Sequence, residues 1–130
     1  MSRIIAGLLV VGSCLLASTP LQAHHSLAGV YEVRKQETVT GVLTKIAFTN
    51  PHGAMYLQVQ AADGSIIDWT MTTGSANALA NLGFGEGGAN YVKPGDTVTI
   101  SYFPARNGKP LGFIRTITLP NANTVEFEAL

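Results

Sequence analysis

The sequence predicts an all-β fold, a small five-stranded Greek-key barrel of the OB type with one short helix between strands three and four. Turn signals separate short segments in which apolar and polar residues alternate, as in a small β domain. The only helical segment after residue 23 follows the third of these segments. Three strands, a helix and two strands, with a long first strand, is the OB order. A small β-sandwich is the alternative.

The first half of the domain contains three predicted strands joined by two turns. Gly41 interrupts the apolar phase of the first strand, which predicts a bulge or a strong bend there. Asn50-Pro51-His52-Gly53 has the residues of a turn, and Asp63-Gly64 has those of a hairpin. The three strands are predicted over residues 37–48, 54–61 and 65–71.

The second half begins with the helix and ends with two strands. Ser75 is a good N-cap for a helix over 76–82, and a glycine follows it. The glycine-rich stretch 83–90 lacks the lysine and the strand-to-helix context of a phosphate loop, so it predicts a connection. Lys93-Pro94-Gly95-Asp96 forms the next turn. The last two strands are predicted over residues 97–103 and 111–119.

The first 23 residues predict a cleavable signal peptide. Arg3 precedes an apolar run over 4–17 that is too short to cross a membrane, and Ala23 offers the small residue required at the cut. We therefore expect a periplasmic or secreted protein with no transmembrane segment after cleavage. The alternative is a lipoprotein anchored through Cys14.

Cleavage after Ala23 leaves enough chain for one compact domain. Cys14 is the only cysteine, so its removal excludes disulfides and a thiol nucleophile. Eight basic and eight acidic residues give no electrostatic footprint for nucleic acid. The expected division is a signal peptide (1–23), an N-terminal arm (24–36), the OB-like barrel (37–120) and a C-terminal tail (121–130).

Three histidines are the candidate metal ligands. A start at His24 places an α-amine beside an imidazole, and His25 adds a second ring through the intervening amide nitrogen. His52 lies in a turn that a barrel can fold against the arm. Amine and imidazole nitrogens suit Cu²⁺, so the sequence predicts copper as the cofactor. In the alternative, His24 and His25 form a solvated arm and the ring of His52 bonds to a backbone carbonyl.

Three further side chains are candidates for binding a ligand. Tyr56 and Trp69 fall on strands two and three, where OB-folds bind extended ligands. The phase of Trp69, however, matches that of core residues, which favours a buried position. Arg106 lies in the loop between the last two strands. These residues predict contact with an unknown protein or an envelope component as the alternative to copper binding.

The sequence does not predict an enzyme. Ser26 follows His25, but no acid is placed to orient that histidine, so the pair is not a triad. Glu126 and Glu128 alternate near the end of the chain and are expected to face solvent. We therefore expect a binding or accessory module.

Seven short motifs follow one another along the chain. They are His24-His25-Ser26, Thr40-Gly41-Val42, Thr49-Asn50-Pro51-His52, Asp63-Gly64 before Trp69, Asn77-Ala78-Leu79, Lys93-Pro94-Gly95-Asp96 and Pro104-Ala105-Arg106-Asn107-Gly108. Together they resemble a family of bacterial exported proteins known only as a domain of unknown function. The resemblance covers nearly all of the chain after residue 23, and it implies an exported barrel with no established activity. The family often has a glutamate shortly after the tryptophan, where this chain has Thr-Met-Thr-Thr over 70–73.

Overall fold

Six β-strands and a short helix follow one another in the part of the chain that the structure describes. The structure is a computed structural model that describes residues 27–128. The predicted signal peptide, its cleavage after Ala23 and the lipoprotein alternative at Cys14 lie outside these residues. The helix, α1, is Ala76–Asn81. The strands are β1 (Glu37–Ala47), β2 (Ala54–Gln60), β3 (Ile66–Thr72), β4 (Thr97–Pro104), β5 (Leu111–Thr118) and β6 (Thr124–Glu126).

The first five strands close into a barrel because β1 is long enough to pair on both sides. Its first half, from Glu37 to Val42, pairs with β4, and its second half pairs with β2. A parallel pairing of β3 with β5 then closes the sheet, in the order β3-β2-β1-β4-β5. The predicted OB-like barrel, with its helix between strands three and four, is confirmed.

The bend of β1 occurs close to the predicted place. A Cβ atom on Gly41 would lie 2.8 Å from the carbonyl oxygen of Gln58, so only glycine allows β2 this near. The register shift itself falls between Leu43 and Lys45, a few residues later. A bulge in that position increases the local twist and lets one strand serve two partners.

The helix α1 packs onto the barrel through one residue. Ser75 Oγ accepts a hydrogen bond of 3.2 Å from the Ala78 amide, as its predicted role as an N-cap requires. Leu79 is fully buried against the barrel core. Burial of one leucine stabilises such a contact by about 1.5–3 kcal/mol, which is more than so short a helix gains from its own hydrogen bonds.

A bulge in β5 changes the predicted alternation of that strand. Tyr102 pairs with Ile114 and Ser101 pairs with Thr116, so Arg115 is an extra residue without a partner in the ladder. As a result Ile114 and Ile117 are both fully buried, although simple alternation places them on opposite faces. Strict alternation of apolar and polar residues cannot predict this extra residue in β5.

The end of the chain differs from the predicted tail over 121–130. Residues 124–126 form β6, which pairs with β5, and Phe127 is 5% exposed. The ring of Phe127 stacks on Phe84 with centroids 5.6 Å apart. This strand forms because apolar Val125 and Phe127 alternate with Glu126 and Glu128, which is the pattern of a half-buried strand.

The N-terminal segment, which we define as residues 27–36, lies against the barrel. A helical turn over 27–30 leads to Tyr31, which is 7% exposed and forms a β-bridge with Ala105. The Tyr31 hydroxyl lies 2.7 Å from Thr72 Oγ1, and its ring meets Phe113 edge to face. Within residues 27–128, no helix has the length and apolar character needed to cross a membrane.

Candidate functional site

His52 lies exposed in the turn between β1 and β2, after a cis peptide bond between Asn50 and Pro51. Its Nδ1 atom is 3.2 Å from the carbonyl oxygen of Thr73. A carbonyl oxygen only accepts, so Nδ1 carries the hydrogen and donates it. Thr49 Oγ1 donates to the His52 carbonyl at 2.7 Å and ties the turn together. In the neutral imidazole, Nε2 is then the nitrogen with the lone pair.

The carbonyl contact of His52 agrees with both of its predicted roles. It is the hydrogen bond expected of a turn histidine, and it is also the contact that orients metal-binding histidines from behind. His24 and His25 lie outside the described residues. Within the described part of the chain, no group of three or more histidine, cysteine or acidic side chains has the arrangement of a metal site.

The N-terminal segment and the His52 turn bond to adjacent residues at the end of β3. Tyr31 contacts Thr72 through its hydroxyl, and the next residue, Thr73, accepts the hydrogen bond from His52. Thr73 is fully buried, so the residue whose carbonyl bonds to His52 has a fixed position.

Tyr56 and Trp69 lie on opposite faces of the sheet. Tyr56 stands opposite Thr70 on the outer face, where it is 36% exposed and the Lys45 ammonium lies 5.7 Å from its ring centroid. Trp69 stands opposite the buried Leu57 on the inner face. The structure therefore does not bring the two aromatic residues together.

Trp69 is half-buried at the end of the barrel rather than enclosed in its core. Its ring meets the buried Tyr102 edge to face, with centroids 5.3 Å apart. Of the two residues in phase with it, Met71 is fully buried and Ile67 is 39% exposed. On the inner face of β3, side chains are therefore buried at Met71 and become more exposed from Trp69 towards the hairpin. The reason is that β3 pairs with β5 only from Thr70 onwards, so its first residues extend beyond the closed barrel.

Trp69 and Arg106 line one groove, which we call the barrel-mouth groove. It has a volume of about 460 Å³ and lies between β3, the β4–β5 loop and the chain entering β1. Sequence reasoning identified Trp69 and Arg106 but not the charged residues from the N-terminal side. The groove is lined by Glu32, Lys35, Glu37, Trp69, Pro104, Ala105, Arg106, Gly108 and Lys109.

Two ion pairs form the sides of the groove. Arg106 Nη1 lies 2.8 Å from Glu32 Oε2, and Arg106 Nε donates to the Ala28 carbonyl at 2.7 Å. Lys35 Nζ lies 2.5 Å from Glu37 Oε1. The N-terminal segment thus supplies Glu32 and Lys35 to a surface that the barrel alone does not complete.

Three pKa values are shifted at or beside the groove, two by a hydrogen bond and one by burial. The hydrogen bond from Lys35 lowers the pKa of Glu37, and the same bond raises the pKa of Lys35. Burial raises the pKa of Tyr102 to about 12, and the negative charge of Glu37 adds to the effect. The Tyr102 hydroxyl donates to Glu37 Oε2 at 3.2 Å, so at neutral pH the phenol keeps its proton.

The fold is a small OB-type barrel, and its mouth carries a groove lined by Trp69, Arg106 and two ion pairs. The chain belongs to the family of unknown function DUF6152, whose model matches residues 13–114. The predicted resemblance to a family of unknown function is confirmed at that level. No curated protein matched this chain.

Among solved structures, this chain is similar to the crystal structure of the mitochondrial single-stranded DNA binding protein Rim1 from S. cerevisiae. Its sequence is 14% identical, and the TM-score is 0.49. The match covers 72% of this chain and 96% of that one.

Proposed function

We propose that this protein is an exported, non-catalytic copper-binding protein in which His24, His25 and His52 hold Cu²⁺. The observation that carries the proposal is the hydrogen bond from His52 Nδ1 to the Thr73 carbonyl. Metal-binding histidines commonly donate one ring N–H to a carbonyl, which orients the ring and leaves the other nitrogen for the metal.

The path of the N-terminal segment supports the same proposal. The described chain starts at Leu27, three residues after His24, and three residues span at most about 11 Å. Tyr31 fixes this segment to Thr72, one residue from the carbonyl that holds His52. The proposal requires the α-amine and the imidazole rings to meet at this end of β3, where they would supply the nitrogen ligands that Cu²⁺ prefers.

A titration with Cu²⁺ tests the proposal on protein recovered after export, once its mass has established a start at His24. We expect one ion per chain, with an electron paramagnetic resonance spectrum typical of nitrogen ligands. Binding weakens in acid because the amine and the imidazoles must lose their protons.

Two variants and one chemical modification make the titration decisive. His24→Ala and His52→Ala each lower the affinity, and acetylation of the α-amine lowers it by removing that nitrogen ligand while keeping every histidine. Tyr56→Ala, on the outer face of the barrel, is the matched control and keeps the wild-type affinity. Stoichiometric uptake that survives both histidine substitutions contradicts the proposal, and so does a mature chain that begins with a lipid on Cys14.

The barrel-mouth groove favours a second candidate function, a metal-independent module that binds a protein or an envelope component. The groove places an aromatic side chain among paired charges on an accessible surface. This candidate predicts that partner binding persists in the presence of a chelator, whereas copper-dependent recognition does not.

A further inference from the structure

We infer that the barrel-mouth groove is a binding site for an uncharged oligosaccharide, with Trp69 packing on a sugar ring between two ion pairs. This groove is separate from the proposed copper site, so sugar binding here does not depend on copper. An oligosaccharide is the class of envelope component that we assign to the second candidate function. The groove lies at the mouth of the barrel, not on the outer face of β2 and β3 that carries Tyr56.

Trp69 provides the apolar surface that a sugar ring needs. One face of a pyranose ring presents C–H groups, which pack favourably on an aromatic π-system. Trp69 is half-buried and braced by Tyr102 at 5.3 Å, so its ring is held before a ligand arrives. A preformed contact surface of this kind avoids the entropic cost of ordering side chains on binding.

The ion pair of Arg106 with Glu32 provides hydrogen-bond partners for hydroxyl groups. A guanidinium has five N–H donors, and here Nε is used by the Ala28 carbonyl while Nη1 and Nη2 point to the Glu32 carboxylate. The guanidinium therefore retains donors, and the carboxylate retains lone pairs. Adjacent hydroxyls of a sugar, each both donor and acceptor, match such a planar pair.

The ion pair of Lys35 with Glu37 provides a second donor and acceptor for hydroxyl groups among the residues that line the groove. Glu37 accepts from both Lys35 and the Tyr102 hydroxyl, which holds its carboxylate near the aromatic pair. The side chains of Lys35 and Glu37 are 63% and 36% exposed, so they can exchange bonds to water for bonds to a ligand. Hydroxyls exchange with water in this way at little electrostatic cost because they bring no charge.

The charge of the groove favours a neutral ligand over a polyanion. Its lining contains three basic and two acidic side chains, and two of the basic groups, Lys35 and Arg106, already form ion pairs. Binding of nucleic acid requires basic groups that neutralise successive phosphates, and Glu32 and Glu37 oppose this. Its volume of about 460 Å³ lies within the usual range of roughly 300–1,000 Å³ for ligand sites.

Intrinsic fluorescence tests the inference directly because Trp69 is the only tryptophan of the sequence. The probes are hexamers of glucose and of N-acetylglucosamine, with a thymidine decanucleotide for comparison, all in excess EDTA. We expect a saturable change in emission with at least one saccharide and no dependence on salt up to ~0.5 M. The presence of EDTA means that a failure here and a failure of copper binding are separate results.

Variants locate the binding site. Arg106→Ala and Glu32→Gln weaken saccharide binding about tenfold, and calorimetry on Trp69→Ala shows a larger loss. Tyr56→Ala leaves the affinity unchanged, and circular dichroism confirms that each variant is folded. Absence of saturation with both saccharides up to ~10 mM overturns the inference, as does an equal loss in Tyr56→Ala. Salt-sensitive binding of the oligonucleotide that exceeds saccharide binding also overturns it, in favour of nucleic acid.

Discussion

The two segments that flank the barrel differ in what they contribute to it. The N-terminal segment, residues 27–36, is held by two polar contacts, Glu32 with Arg106 and the Tyr31 hydroxyl with Thr72, and by one buried ring, that of Tyr31 against Phe113. The C-terminal segment, which we define as residues 121–128, adds strand β6 and buries Val125 and Phe127. The first segment completes the lining of the barrel-mouth groove, whereas the second completes the core.

Physical chemistry predicts that the two segments differ in their effect on stability. Burial of a large apolar side chain stabilises the folded state by about 1.5–3 kcal/mol. An exposed ion pair contributes about 0–1 kcal/mol, since water and salt screen it. Substitutions in the C-terminal segment should therefore lower stability, and substitutions in the N-terminal segment should mainly alter the groove.

The largest effect is expected for Phe127→Ala. This change removes a ring that is 5% exposed and stacked on Phe84, so it leaves a cavity and lowers the free energy of unfolding by about 3–5 kcal/mol. Urea denaturation followed by circular dichroism measures it. Glu126→Ala, at an exposed neighbouring position, is the control and changes stability by less than about 0.5 kcal/mol. A loss below about 1 kcal/mol in Phe127→Ala contradicts the assignment of this segment to the core.

The next effect is a loss of stability in alkali that arises in the barrel itself, where Tyr102 of β4 meets Glu37 of β1. The pKa of Tyr102 is raised from 10.0 to about 12 in the folded protein, so the folded state binds this proton more tightly than the unfolded state does. The resulting stability is complete below pH 10 and is lost as the pH rises towards 12. Each pH unit in this window costs at most about 1.4 kcal/mol.

Urea midpoints at pH 9, 10, 11 and 12 measure the contribution of Tyr102. We expect the wild-type midpoint to fall more steeply than that of Tyr102→Phe, which has no phenol to ionise at this position. Parallel slopes for the two proteins show that burial of Tyr102 and its bond to Glu37 do not hold the proton.

The smallest effect is expected for Tyr31→Phe. The change removes only the hydroxyl that lies 2.7 Å from Thr72 Oγ1 and keeps the ring against Phe113, so it costs about 0.5–1.5 kcal/mol. Thermal unfolding measures the cost, and Tyr91→Phe, at a residue that is 49% exposed, is the control. A loss as large as that of Phe127→Ala contradicts the assignment of a single hydrogen bond to this hydroxyl.

Most of the barrel was predictable from the sequence because its strands alternate and its turns carry glycine. The predicted strand over 54–61 matches Ala54–Gln60, and the predicted helix over 76–82 matches Ala76–Asn81 to within one residue. The bulge at Arg115 was not predictable, because an extra residue in one strand is defined only by the register with its neighbour. β6 was missed although its alternation is visible, because three residues give too short a pattern.

The candidate sites were predictable only in part. Trp69 and Arg106 were identified as separate candidates, but nothing in the sequence places them in one groove. Glu32 and Glu37 have no sequence signal, since isolated charges are usually solvated. His52 was identified from its turn, and its partner Thr73 lies across a contact that only folding creates.

The sequence by itself determined the fold class, the order of the elements and the residue types available for binding. These are local properties, set by periodicity, turn residues and composition. The tertiary structure decided that Trp69 stays half-buried, that the N-terminal segment brings Glu32 to Arg106, and that Phe127 returns to the core. These contacts join residues that are distant in the chain, so they depend on how the barrel closes.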